Sequence, residues 1–94
     1  MAKYSIINEK VANLQEVFDN LKNGGLKLLC FNKNTRRWSQ VAWCGENQIE
    51  VITIENDKIF AEYFMEFPFN NLNELKENRI FITDKIWYIG HIED

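Results

Sequence analysis

The residues of this chain that are able to do catalytic chemistry are few and stand far apart. Its one histidine is His91, and its two cysteines are Cys30 and Cys44. A histidine can act as a general base or activate a thiol. Both cysteines, however, fall in predicted strands, without the helix N-terminus or basic cluster that lowers a thiol pKa. We therefore predict no catalytic residues and do not expect an enzyme.

Metal and cofactor sites are not indicated either. The histidine and the cysteines are single residues rather than the closely spaced pairs typical of zinc sites. Glu62 and Glu66 are four positions apart in a predicted strand, hence about 13 Å from each other, too far for the acid and base of a glycosidase. The Gly24-Gly25 pair belongs to no phosphate-binding glycine motif. We expect neither a metal nor a cofactor.

One segment combines cations, aromatic rings and amides in a way that suits anions and bases. It covers residues 31–40, with the cations Lys33, Arg36 and Arg37 and the aromatic residues Phe31 and Trp38. Arginine pairs with phosphate, and aromatic rings stack on nucleobases. The alternative is a solvated hairpin tip in which Phe31 and Trp38 form an ordinary cross-strand pair.

A helix is predicted ahead of this segment. Apolar residues recur at helical spacing through Ile7, Val11, Leu14, Phe18 and Leu21. Asn8 is a suitable N-cap and Asn23-Gly24-Gly25 a suitable end, so the pattern predicts an amphipathic helix over residues 8–22. We expect its apolar stripe to face the core.

After residue 25 the apolar period changes to two, which is typical of strands. We predict strands at 26–32, 37–44, 48–55 and 58–67, a short helix at 71–78 after Pro68, and a last hairpin formed by 79–83 and 86–92. If Lys33 faces Arg36 across the first turn, then Leu26, Leu28, Cys30, Val41 and Trp43 share the core face. Cys30 then lies opposite Ser39, and a disulfide with Cys44 is excluded.

The turn at Asn56-Asp57 predicts a type I′ hairpin. This hairpin groups Ile52, Ile54, Ile59, Ala61 and Met65, and leaves Phe60 and Phe64 beside Glu62 and Glu66 on the other face. Two exposed phenylalanines need cover, because more strand positions are apolar than one helix can bury. Either the sheet rolls and makes them internal, or they form an interface; we expect the rolled sheet.

These elements predict a single α+β domain over residues 1–94. We expect an N-terminal helix packed on an antiparallel sheet that is curled or partly barrelled, in the order α-ββββ-α-ββ. The net charge of -3, with both signs interspersed, excludes a bulk polyanion binder and a DNA mimic. No membrane-spanning run and no secretory start are present, so we expect a cytoplasmic protein.

The lack of predicted catalytic groups and the excess of aromatic residues on the predicted strands favour a small non-catalytic protein-binding module or inhibitor. The Asn-, Ile- and Lys-rich composition suggests an AT-rich genome, and with the small size it suggests a phage or bacterial accessory protein of the counter-defence or immunity type. The alternative is a small binder or sponge for a nucleotide or nucleic acid, using hairpin 31–40. We expect another protein as partner, leave a homodimer open and expect no membrane. The binding residues would be Lys33, Arg36, Arg37, Trp38, Phe60 and Phe64.

Overall fold

The computed structural model describes all residues from Met1 to Asp94 and shows an α+β protein built on one antiparallel sheet. Its six strands are β1 (Lys3–Val11), β2 (Leu28–Asn32), β3 (Trp38–Gly45), β4 (Gln48–Glu55), β5 (Lys58–Glu66) and β6 (Lys85–Glu93). They lie in the order β1-β6-β2-β3-β4-β5. Two helices, α1 (Leu14–Asn23) and α2 (Leu72–Glu77), and a 3-10 turn (Arg79–Phe81) complete the fold.

The first element is a strand, so the predicted N-terminal helix over 8–22 is wrong at its start. Helix α1 begins after Asn13, whose side chain accepts a hydrogen bond from the Glu16 backbone at 2.9 Å, while the Asn13 backbone N–H donates one to the Glu16 carboxylate at 3.1 Å. This capping box, not Asn8, sets the helix start. Residues 3–11 pair with β6 instead, and the apolar spacing at Ile7 and Val11 belongs to a strand surface that is largely exposed.

The predicted C-terminal hairpin is also wrong. Residues 79–81 form the 3-10 turn, with Asn78 accepting a hydrogen bond from Ile80 N at 3.0 Å. The following strand, β6, finds its partners far away in the chain, because β2 pairs with one of its edges and β1 with the other. The observed order is therefore β-α-ββββ-α-β rather than α-ββββ-α-ββ.

One face of the sheet, here called the helix face, carries the core. Leu28, Cys30 and Val41 are buried on it as predicted, against α1, α2 and three mutually packed phenylalanines, Phe67, Phe69 and Phe81. Leu26 and Trp43 were expected on the same buried surface, but they are 59% and 44% exposed. Leu26 lies in the loop between α1 and β2, and the ring of Trp43 packs against Gly24 at the end of α1.

The opposite face, here called the aromatic face, has no helix over it. The ring of Trp38 stacks on Tyr4 with centroids 4.0 Å apart and also contacts Phe31 and Tyr88. Tyr4 belongs to β1, which is three strands away from β3 in the sheet order, about 14 Å if the sheet were flat. The β1 end of the sheet must therefore bend over this face.

Two hydrogen bonds hold the bent end in place. Ala2 N donates to Asp57 O at 2.8 Å, and Ile92 N donates to the buried side chain of Gln40 at 2.9 Å. Gly90 permits the close approach, because a Cβ there would lie 2.6 Å from Leu29 Cδ1 and closer still to a β1 carbonyl oxygen. The sheet is not closed, however, since β1 and β5 remain its two edges.

No helix of this chain has the length and apolar character needed to cross a membrane.

Candidate functional site

Strand β5 is the most exposed apolar element of the sheet. It pairs with β4 on one side only, so the backbone along its other edge has no strand partner. Four of its apolar side chains are exposed, namely Ile59 (39%), Phe60 (55%), Tyr63 (47%) and Phe64 (65%). An open strand edge with exposed apolar side chains is a template for another extended chain.

A bulge in β5 separates the two phenylalanines that were predicted to share a face. Thr53 pairs with Ala61 but Ile54 pairs with Ile59, which leaves Phe60 as the extra residue. Phe60 lies on the helix-face side, where it contacts Arg37. Phe64 lies opposite Glu50 on the aromatic face. The predicted grouping of Ile59 with Ala61 and of Phe60 with Phe64 is therefore wrong, because an inserted residue reverses the alternation.

Phe64 is surrounded by carboxylates. On the aromatic face Glu50 lies directly opposite it, and Glu62 and Glu66 are its neighbours two positions away in β5. None of these three carboxylates forms an ion pair, since the ion pairs of this chain are Met1–Asp94, Arg37–Glu55 and His91–Glu93. We call the four residues the Phe64 patch. The expectation that Phe60 and Phe64 are internal is wrong, because these side chains are 55% and 65% exposed in the edge strand β5.

A groove of about 310 Å³ opens on the helix face between β5 and the 3-10 turn. Its floor carries Ser39 and Thr53, whose hydroxyls are hydrogen-bonded at 2.7 Å. Phe60 and Tyr63 form one wall, and Arg37 and Lys85 lie at one end. We call this cavity the Arg37 groove. It combines an apolar body with two cations.

The side chain of Arg37 is only partly used by the protein. Its guanidinium lies over the ring of Phe60, 4.0 Å from the centroid, and Nη2 is 3.2 Å from Glu55 Oε1. Its Nε is buried and has no hydrogen-bond partner. A buried donor without a partner is unusual in a folded protein and calls for an explanation.

Cys30 lies on the floor of the same groove, and its chemistry is set by burial. Desolvation raises the pKa of this thiol to about 12, against a smaller lowering effect of the nearby Lys85 ammonium. The thiol is therefore neutral at physiological pH and a poor nucleophile. Cys44 is exposed, and both cysteines are free.

His91 stands apart from this groove. Its Nε2 is 2.8 Å from Glu93 Oε1, a contact that lowers the pKa of the Glu93 carboxyl through the hydrogen bond and the imidazole charge. No group of three or more His, Cys, Asp or Glu side chains stands close enough to hold a metal ion. The structure thus brings neither cysteine to the histidine.

The hairpin 31–40 forms in the predicted register, with Phe31 opposite Trp38 and Cys30 opposite Ser39. Arg36, Arg37 and Trp38 line a second pocket together with Tyr4. Arg37 also lines the groove, and the ring of Trp38 is stacked on Tyr4 on the aromatic face. Arg36 lies over the ring of Phe31 at 5.9 Å, and Lys33 is exposed near the turn.

Sequence reasoning did not find Tyr63, Lys85 or Glu50 as neighbours of these residues. Lys85 reaches the Arg37 groove only because β6 pairs with β2, a contact across more than fifty residues of chain. Glu50 meets Phe64 through the β4–β5 register, which the bulge shifts by one residue. No local pattern carries either signal.

Comparison with protein-family models, with curated proteins and with solved structures finds no match for this chain. What the structure shows is the fold class, a small α+β protein with a six-stranded antiparallel sheet and two helices.

Proposed function

We propose that this protein is a non-catalytic protein-binding module whose partner adds an extended segment to the free edge of β5. The observation that carries the proposal is the edge itself, because the strand Lys58–Glu66 pairs with β4 on one side only and Phe64 is 65% exposed. Addition of a strand to an open sheet edge gives affinity through main-chain hydrogen bonds, while alternate side chains give specificity.

The charge of the Phe64 patch indicates the chemistry of the partner. Three carboxylates without internal counter-ions surround one exposed ring. A segment that alternates apolar residues with lysine or arginine complements this surface, since the cations face the carboxylates and also the ring. An antiparallel pairing of two β5 strands centred on Glu62 would instead place this carboxylate opposite its own copy, which is unfavourable.

The other edge of the sheet is a poorer template. Strand β1 also exposes apolar side chains, but its pairing is interrupted between Ile7 and Val11. Asn8 and Glu9 have positive φ angles of 72° and 49° there. The bulge in β5 inserts one residue, whereas residues 8–10 of β1 are left out of the pairing with β6, so β1 is the more irregular edge.

We expect an alternating Lys/Val peptide to bind the protein and an alternating Glu/Val peptide of the same length not to bind. Backbone amide NMR signals of residues 58–66 should shift with the first peptide, and their hydrogen exchange should slow. Phe64→Ala should weaken binding by about tenfold or more, as is common for a central aromatic anchor. It should cost less than about 1 kcal/mol of unfolding free energy, because the ring is mostly exposed.

Ile80→Ala is the matched control, since Ile80 is 64% exposed but lies on the 3-10 turn. It should leave the affinity unchanged. Equal binding of both peptides, or equal loss in the two variants, would contradict the proposal. If the protein forms a homodimer and Phe64→Ala dissociates it, the segment that binds this edge comes from a second copy of the chain and not from a basic partner.

Nucleotide or nucleic-acid binding through hairpin 31–40 is the second candidate. The contact of Arg36 with the ring of Phe31 favours it, because a cation beside an aromatic ring suits a phosphate and a base. The stacking of Tyr4 on Trp38 weighs against it, since this covers the ring best suited to a base. Binding that falls steeply with salt and is lost in Arg36→Gln would favour this candidate.

A further inference from the structure

We infer that the Arg37 groove binds a small amphipathic anion, with a carboxylate or phosphate head group at Arg37 and Lys85 and an apolar body along Phe60 and Tyr63. This site shares strand β5 with the edge proposed for the protein partner, but it lies on the helix face, whereas the Phe64 patch lies on the aromatic face.

The charges that line the groove support an anion. The chain carries 14 acidic and 11 basic residues, yet the groove is lined by two cations and by no carboxylate. Glu55 does not line the groove, and its carboxylate is engaged at Nη2 of Arg37. An anion entering this end of the groove therefore meets positive charge.

Hydrogen-bond donors are also left over at this end. A guanidinium has five N–H groups, and the Nε of Arg37 has no partner in the protein. The ring of Phe60 lies against this guanidinium and is itself 55% exposed, so the guanidinium lies at the boundary of the groove with solvent. The hydroxyl pair of Ser39 and Thr53 shares one hydrogen between its two oxygens and keeps a second one to donate.

The rest of the groove favours an apolar body. Beyond the cations its walls are formed mainly by apolar and aromatic side chains, among them Tyr63, Met65 and Phe81. Its volume of about 310 Å³ is at the small end of the range for ligand sites. It suits a short alkyl chain or a single ring system.

Octanoate and octyl phosphate test the two head groups, and octanol is the neutral control. By calorimetry or NMR we expect at least one anion to bind with a Kd below about 1 mM and octanol to bind about tenfold more weakly or worse. Whichever anion binds more tightly identifies the head group. Amide signals of Ala61, Tyr63 and Lys85 should shift.

Arg37→Gln should weaken binding of the anion by about tenfold or more, because a charge-assisted hydrogen bond is lost. Arg36→Gln removes the same charge one residue away, outside the groove, and should change the affinity by less than about twofold. Lys85→Gln tests the second cation if Arg37→Gln does not fold.

Equal affinity for octanol, equal losses in the two arginine variants, or no binding of either anion would overturn the inference. The outcome is independent of the β5 edge, since Phe64→Ala should leave the affinity for octanoate unchanged.

Discussion

At the scale of single residues, Cys30 and Cys44 show how position in the sheet decides reactivity. Both lie in antiparallel strands, but Cys30 is 4% exposed beneath the helix layer while Cys44 is exposed at the end of β3. The first thiol has a pKa raised to about 12 by desolvation. The two thiols therefore differ in reactivity, because the Cys30 thiol is buried and stays protonated whereas the Cys44 thiol is accessible to a reagent.

In the folded protein we expect one fast-reacting thiol toward DTNB and a second that reacts at least about a hundredfold more slowly. Two thiols should react after unfolding without reductant. Cys44→Ser should remove the fast phase and Cys30→Ala should leave it intact. A thiol count of zero in the unfolded chain, or two equal rates in the folded one, would show that this account is wrong.

The raised pKa of Cys30 also has a consequence for stability. The unfolded thiol ionises near its ordinary value of 9.0 and the folded one only near 12. The unfolded state thus binds fewer protons between these values, so the stability contribution of the neutral thiol is present below pH 9.0 and is lost as the pH rises above it.

At the scale of elements, helix α1 depends on its cap and on a short apolar stripe. The capping box at Asn13 starts the helix, and Val17, Phe18 and Leu21 are buried against the sheet. The ring of Phe18 lies 6.1 Å from that of Phe67, which joins the helix to the aromatic part of the core. Ile7 and Val11, which continue the apolar spacing before Asn13, belong to β1 and are largely exposed.

Phe18→Ala should therefore lower the free energy of unfolding by about 3–5 kcal/mol, because it leaves a cavity under the helix. Val11→Ala should cost less than about 1 kcal/mol, since Val11 is 55% exposed in β1. Urea denaturation followed by circular dichroism measures both. Similar losses would mean that Val11 lies on the buried face of a longer helix.

At the scale of the whole molecule, the bent β1 end covers part of the aromatic face. Tyr4 reaches Trp38 across the sheet, and Ala2 reaches the β4–β5 turn at Asp57. These contacts join residues that are distant both in sequence and in strand order. In a closed barrel such a surface would be buried inside. In this open sheet, these contacts bury part of it instead.

Tyr4→Ala should cost about 1 kcal/mol more than Tyr63→Ala, although the two side chains are similarly exposed, at 43% and 47%. The difference arises because the Tyr4 ring stacks on Trp38, and aromatic pairs contribute beyond their buried area. Thermal unfolding compares the variants. Hydrogen exchange at Ala2 and Ile92 should be faster only in Tyr4→Ala. Equal losses of stability in the two variants, with unchanged exchange, would show that the β1 end does not bend over Trp38.

The sequence by itself determined the local elements whose physics is contained in a few residues. The hairpin pairing of Phe31 with Trp38 follows from alternation about a turn, and Asn56 and Asp57 both adopt the positive φ of a type I′ turn. Helix α2 begins at its Asn71 cap, which bonds Glu74 N at 3.0 Å. Each of these features depends on contacts between near neighbours.

Only the tertiary structure decided the features that join distant parts of the chain. Residues 3–11 become a strand because β6 is present to pair with them, whereas their own apolar spacing fits a helix. The bulge at Phe60 is an irregularity of pairing that alternation does not reveal. The Arg37 groove exists because β6 brings Lys85 beside β2 and the 3-10 turn forms its far wall. Such contacts depend on the free energy of the whole fold and not on the local preference of any segment.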